Sequence, residues 1–221
     1  MVVLATKVYV GGGARTRALD GLDAVVADAL DGLSVEYDLG VREDAFPSVT
    51  LEGPDATAAR NLLREEWGEV TPHLGAGEVH VGTLESWDGD GFVLDAGRDV
   101  RVPADELGLG PGSPAQVRTR FGLVQHVPLW FVAGDPPRLA DAERDRLYGW
   151  TRGPGRLNVN SATRSEVRAT VNRAGHADDV VTVERLGLLE QSVVCREGTD
   201  PPGLLASVGD YLPAELLCVV P

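Results

Sequence analysis

The sequence predicts an α+β protein of three parts: two split βαβ (ferredoxin-like) units flanking a small β-barrel. Three observations predict it. Residues 1–74 and 136–221 each pass through strand-period and helix-period segments in nearly the same order. Residues 77–134 instead carry short strands punctuated by glycine, aspartate and proline, the pattern of a small barrel. Two linker-like stretches, TPHLGAGE at 71–78 and AGDPPRL at 133–139, separate the parts.

The first part opens on an apolar run, VVLATKVYV, that reads as a strand ending at Gly11-Gly12-Gly13. No cationic segment precedes the run and no small-residue cleavage pattern follows it, so it does not read as a signal peptide. Leu19, Leu22, Val26, Ala29 and Leu30 then recur at helical spacing, with aspartates on the opposite face. SVEYDLGV and PSVTLEG alternate as two strands. The next helix begins near Pro54 and Asp55, residues favoured in a first helical turn.

In the middle part, Val81-Gly82-Thr83-Leu84, Gly91-Phe92-Val93-Leu94-Asp95 and Val102-Pro103-Ala104-Asp105-Glu106-Leu107 resemble the first three strands of an S1-type OB barrel. In that family, aromatic and basic side chains on the barrel face bind single-stranded RNA, which implies that role for Phe92 and Trp87. This chain departs from the pattern, because Asp88, Asp90, Asp95 and Asp99 surround those positions. Carboxylates there repel phosphate, leaving a structural or protein-binding barrel as the alternative.

The third part begins with a connecting helix through Leu147 and Trp150, followed by the junction Gly153-Pro154-Gly155. RLNVN is then a strand, and Asn160 or Ser161 caps the helix ATRSEVRATVNRAG. DVVTVERLG and EQSVVC are strands, PPGLLASVGDYL a helix and AELLCVV a closing strand, which completes the split βαβ order. PSVTLEGPDATAARNLL and QSVVCREGTDPPGLLAS share a strand–turn–helix pattern, by internal duplication or by chance. With Cys195 and Cys218 on strands separated by a third, the expectation is two free thiols.

The 34 acidic residues outnumber the 20 basic ones, of which Lys7 is the single lysine, and the net charge is −14. Excess carboxylate with almost no lysine resembles proteins of salt-accumulating haloarchaea, whose salt screens dense like charge. An arginine bias from a GC-rich genome is the alternative, although it does not by itself produce the acid excess. No stretch approaches the length of a membrane span, so a cytoplasmic protein is expected. His73, His80, His126 and His176 are scattered. The glycine run lacks a P-loop lysine, and the Asp-Gly-Asp-Gly at 88–91 lacks the glutamate of a calcium loop. No catalytic residue, metal or cofactor is predicted.

Charge is distributed unevenly. Between Gly112 and Gly175 stand ten arginines and only five acids, interleaved with aromatic residues. Arginine with aromatics is the chemistry that grips phosphates while stacking on bases. The candidate nucleic-acid-binding residues are Arg118, Arg120, Tyr148, Trp150, Arg152, Arg156, Arg164 and Arg168. The competing reading has these arginines pairing with acids of neighbouring units, as Asp141 and Glu143 are spaced to do with Arg144 and Arg146. As a whole, through RLNVNSATRSEVRATVNRAGH and LLEQSVVCREGTDPPGLL, the chain resembles an archaeal family without an assigned activity. The expected function is that of a non-enzymatic RNA- or ribosome-associated protein of a halophilic archaeon. The alternative is a protein–protein interaction or small-molecule-sensing module.

Overall fold

In the computed structural model, which describes residues 1–221, three antiparallel sheets organise the chain. The first contains β1 (Val2–Val3), β2 (Glu36–Val41) and β3 (Pro47–Glu52) in the order β1-β3-β2. Helices α1 (Gly12–Ala29) and α2 (Ala56–Trp67) carry its core residues, among them Leu22, Val26, Ala59 and Leu63. A fourth strand is reduced to one bridge, Leu4 with Glu69, and the bond from Val70 N to Val3 O at 2.9 Å.

The expected first strand is much shorter than its apolar run. Residues 5–10 leave the sheet because their side chains and backbone bond to the other two parts. Ala5 packs with Val81, the Thr6 hydroxyl accepts from Leu188 N, and Lys7 pairs with Glu85 and Asp95. This strap ties the molecule together.

The middle sheet contains β4 (Val79–Asp88), β5 (Gly91–Asp95), β6 (Asp99–Pro103), β7 (Pro128–Val132) and β8 (Arg138–Leu139). Their order is β6-β5-β4-β7-β8, and the sheet curls into a half-barrel in place of the expected barrel. Helices α3 (Pro114–Arg120) and α4 (Asp141–Arg152) contribute Val117, Leu147 and Trp150 to the core of this sheet. The connecting helix therefore packs on the middle part, while Trp150 also meets Arg156 beyond it. Helix α3 was legible but unread. Ser113 and Gln116 form a reciprocal capping box around Pro114, a start signal lost among apparent strand punctuation.

The third sheet contains β9 (Arg156–Val159), β10 (Val180–Arg185), β11 (Gln191–Cys195) and β12 (Leu216–Val219), ordered β10-β11-β9-β12. Helices α5 (Arg164–Arg173) and α6 (Pro201–Val208) bury Val167, Val171, Leu204 and Val208 with Leu157, Val159 and Val193 of the strands. Thr163, not Asn160 or Ser161, caps α5, because its hydroxyl and Glu166 form the capping box. Cys195 and Cys218 are free thiols on strands separated by β9.

Alternation along β9 decides how the second and third parts join. Leu157 and Val159 enter the core of the third part, so Asn158 and Asn160 point to the other side. Both are buried and face the half-barrel. Asn158 donates to Gly122 O at 2.8 Å, and Asn160 donates to Gln125 O while accepting from Glu215 N. The Asn160 amide is bonded through both its nitrogen and its oxygen, whereas Asn158 Oδ1 is buried without a partner. Gly155, at φ 94°, sits where a Cβ would lie 2.6 Å from Pro201 Cγ, so the expected hinge is a packed joint.

Candidate functional site

The arginines that carried the RNA reading are largely committed within the molecule. Arg118 is buried, pairs with Glu215 and stacks 3.7 Å from the Trp87 ring centroid. Glu215 also accepts from Gln125 N, so this ion pair fastens the half-barrel to the third part. Arg120 donates to the carbonyls of Leu109 and Pro111. Arg156 pairs with Glu184 and lies 5.2 Å from the Trp150 centroid. Trp150 is buried core, and Tyr148 meets Phe121 edge to face. Phe92 is fully buried, so it lies inside the half-barrel and not on the face that the S1 resemblance implies.

Arg164 has a different role. Its Nε donates to Val183 O at 2.6 Å, on the outermost strand of the third sheet. The same strand bulges between Val180 and Thr182. A bulge and a side chain across the backbone both blunt an edge against pairing with another chain. Arg152 and Arg168 are exposed and have no carboxylate partner; Arg152 lies 5.9 Å from the Tyr148 centroid.

A second polar constellation forms where the strap crosses the other two parts. The Tyr9 hydroxyl donates to Glu190 Oε1 at 2.6 Å and accepts from Ser161 N at 2.9 Å. The Tyr9 ring lies 4.0 Å from that of His126, whose Nδ1 is 3.2 Å from Glu85 Oε1. All three non-glycine residues with positive φ touch this strap: Ala45 O accepts from Val8 N, while His126 and Ser161 flank Tyr9. Such conformations persist where surrounding contacts over-determine them.

Electrostatics separate the two carboxylates of this seam. Burial pushes the Glu190 carboxyl up to about 8, against the opposing hydrogen bond from Tyr9. Burial also acts to raise Glu85, but hydrogen bonds from His126, Thr83 and Lys7 outweigh it and hold the group down at about 2. At neutral pH the seam therefore contains a protonated glutamic acid beside an ionised, lysine-paired one. No group of three or more His, Cys, Asp or Glu side chains is placed to hold a metal ion. No helix is long and apolar enough to cross a membrane.

A further cleft lies on the outer face of the half-barrel. On β7, Leu129 and Phe131 enter the core, so Trp130 points outward, opposite Val81 of β4. Trp130 is 38% exposed. It lines a cleft of about 740 Å³ between α2, the 69–78 connection and β4. Asn61 and Arg64 of α2 and Thr71 of the connection line the same cleft. His80 lies on the other face of β4, opposite Phe131 with its ring 5.9 Å from that phenyl, and its buried Nε2 has no hydrogen-bond partner. Beyond Trp130 a smaller depression of about 80 Å³ is bordered by Trp67 and Arg146. Trp67 Nε1 and Arg146 Nε are buried and unpartnered as well. Sequence reasoning gave Trp130 no site. Only strand alternation against the core could have turned it outward.

No curated protein and no solved structure matches the chain. Three family models do match in series: the DUF2110 N-terminal domain over residues 1–73, the DUF2110 central domain over 74–151 and the DUF2110 C-terminal domain over 154–220. Together they span nearly the whole sequence, and the chain belongs to the DUF2110 family.

Proposed function

We propose that this protein is a non-enzymatic, small-molecule-sensing module that takes its ligand in the cleft at Trp130. One observation carries the reading: an outward tryptophan borders a 740 Å³ cleft together with the Asn61 amide, the Arg64 guanidinium and the Glu65 carboxylate. Ligand sites are concavities in this size range, and here Val79, Val81 and Trp130 supply the apolar part of an otherwise polar lining. No hydroxyl of the lining bonds an imidazole or a carboxylate, which supports binding over catalysis. The test is thermal stabilisation of wild type and Trp130→Ala across a panel of amines, carboxylates, sugars and nucleosides in molar KCl. At least one class stabilises the wild type and loses its effect in the variant; a panel with no such class rejects the reading.

RNA binding is a second reading, favoured by the exposed Arg152 and Arg168. At molar salt the screening length is about 3 Å, so phosphate contacts there depend on direct arginine bonds. Titration with single-stranded and structured RNA tests it. Joint replacement of Arg152, Arg156, Arg164 and Arg168 abolishes binding if the reading holds and leaves it unchanged if it does not.

Finer points of architecture and origin belong to the same proposal. The order β10-β11-β9-β12 supports a ferredoxin-like third part, and β1-β3-β2 with its single bridge supports a first part of that type lacking the closing strand. The β4–β6 meander supports the S1-type resemblance. The charge of −14 with a single lysine supports a halophilic archaeal origin and a cytoplasmic location.

A further inference from the structure

We infer that the Trp130 cleft takes a neutral planar heteroaromatic of nucleobase type, stacked on the indole, and that it disfavours the same ligand bearing phosphate. The inference rests on the small-molecule reading and names its ligand class. Trp130 offers a flat, open π-face, and aromatic platforms of this kind stack any nucleobase, because every base has a π-face. The polar groups around it are of mixed sense. The Asn61 amide both donates and accepts, Arg64 only donates, and the Glu65 carboxylate only accepts. An apolar ligand leaves these groups unsatisfied, and an alkylamine, with donors only, leaves Arg64 unmatched. The edge of a nucleobase carries donors and acceptors side by side and fits the set.

Charge sets the second half of the inference. Arg60, beside the cleft, is already paired with Glu69 at 2.6 Å. That leaves Arg64 as the one arginine of the lining, against Glu65 and Glu78. A phosphate therefore meets more negative charge than positive, and the rest of the molecule, at −14, adds to the repulsion. The volume of about 740 Å³ accommodates a base with its pentose.

Adenosine, guanosine and their 5′-monophosphates, titrated into the intact chain by calorimetry, test the inference. At least one nucleoside binds saturably, and its monophosphate binds several-fold more weakly, the gap narrowing as KCl is raised. Trp130→Ala weakens the nucleoside by about ten-fold or more, as expected for loss of a stacking platform. Trp130→Phe, which keeps a ring and guards against a folding defect, retains binding within a few-fold. Absence of nucleoside binding, equal binding by Trp130→Ala, or tighter binding of the monophosphate overturns the inference. If another class in the panel depends on Trp130 while nucleosides do not bind, the nucleobase assignment falls and the small-molecule reading stands. If no class depends on Trp130, both fall.

Discussion

The arginine-rich stretch and the Trp130 cleft differ in one property: whether their polar groups already have partners. Arg118, Arg120, Arg156 and Arg164 are concentrated in sequence but bonded to Glu215, to carbonyls, to Glu184 and to Val183. The cleft draws its residues from α2, β4 and β7, with Asn61 and Trp130 more than sixty positions apart in the chain, and leaves Trp130 partly exposed. Density of a residue type in a sequence reports supply. Availability for a ligand depends on what the fold has already bonded.

The largest expected effect breaks the committed side of that comparison. Glu215→Ala leaves the buried Arg118 guanidinium without its carboxylate and Gln125 N without an acceptor. A loss of about 3 kcal/mol is expected for removing one partner of a buried pair, read by denaturant unfolding. An undiminished stability contradicts the clamp role.

Distinct from the truncation effects is a pH effect in the seam. The Glu190 carboxyl is raised to about 8 in the folded protein, so the folded state holds a proton that the unfolded chain releases near its ordinary value. Stability from this group is full below that ordinary value and falls as pH rises to about 8, by up to about 1.4 kcal/mol per pH unit. Glu190→Gln keeps the acceptor for Tyr9 and removes the ionisation, so its stability across that window flattens relative to wild type. Parallel pH profiles of the two proteins refute the assignment. Glu85, held down at about 2, adds nothing in that window and matters only in strong acid.

The uncommitted side yields the smallest effects on stability. Arg168→Ala, at an exposed position without a carboxylate partner, changes stability by no more than about 0.5 kcal/mol. Arg156→Ala costs more, because it strips Glu184 of its partner and uncovers Trp150. The two variants measured together order the arginines by commitment.

Much of the fold was legible in the sequence. Helix periodicity placed α1, α2, α5 and α6, and alternation placed the strands of the first and third parts. The errors share a cause. The run at residues 2–10 is apolar enough for a strand, but Thr6, Lys7 and Tyr9 are spent on partners up to 182 positions away, which no local pattern encodes. Phe92 was assigned to a binding face because a motif resemblance carries no information on which way a strand turns. Asn158 reads as an ordinary strand polar residue and Asn160 as a candidate helix cap, yet the half-barrel buries both. The cleft was invisible for the same reason: it exists only once three separate segments meet.

The most direct measurement compares ligand-dependent stabilisation of Trp130→Ala with that of the Arg152→Ala/Arg168→Ala double variant, under one set of nucleosides and RNA at molar KCl. The account predicts that the tryptophan variant loses the nucleoside-induced rise in Tm while the arginine variant keeps it. Loss in the arginine variant with retention in Trp130→Ala would contradict it and return the function to the basic surface.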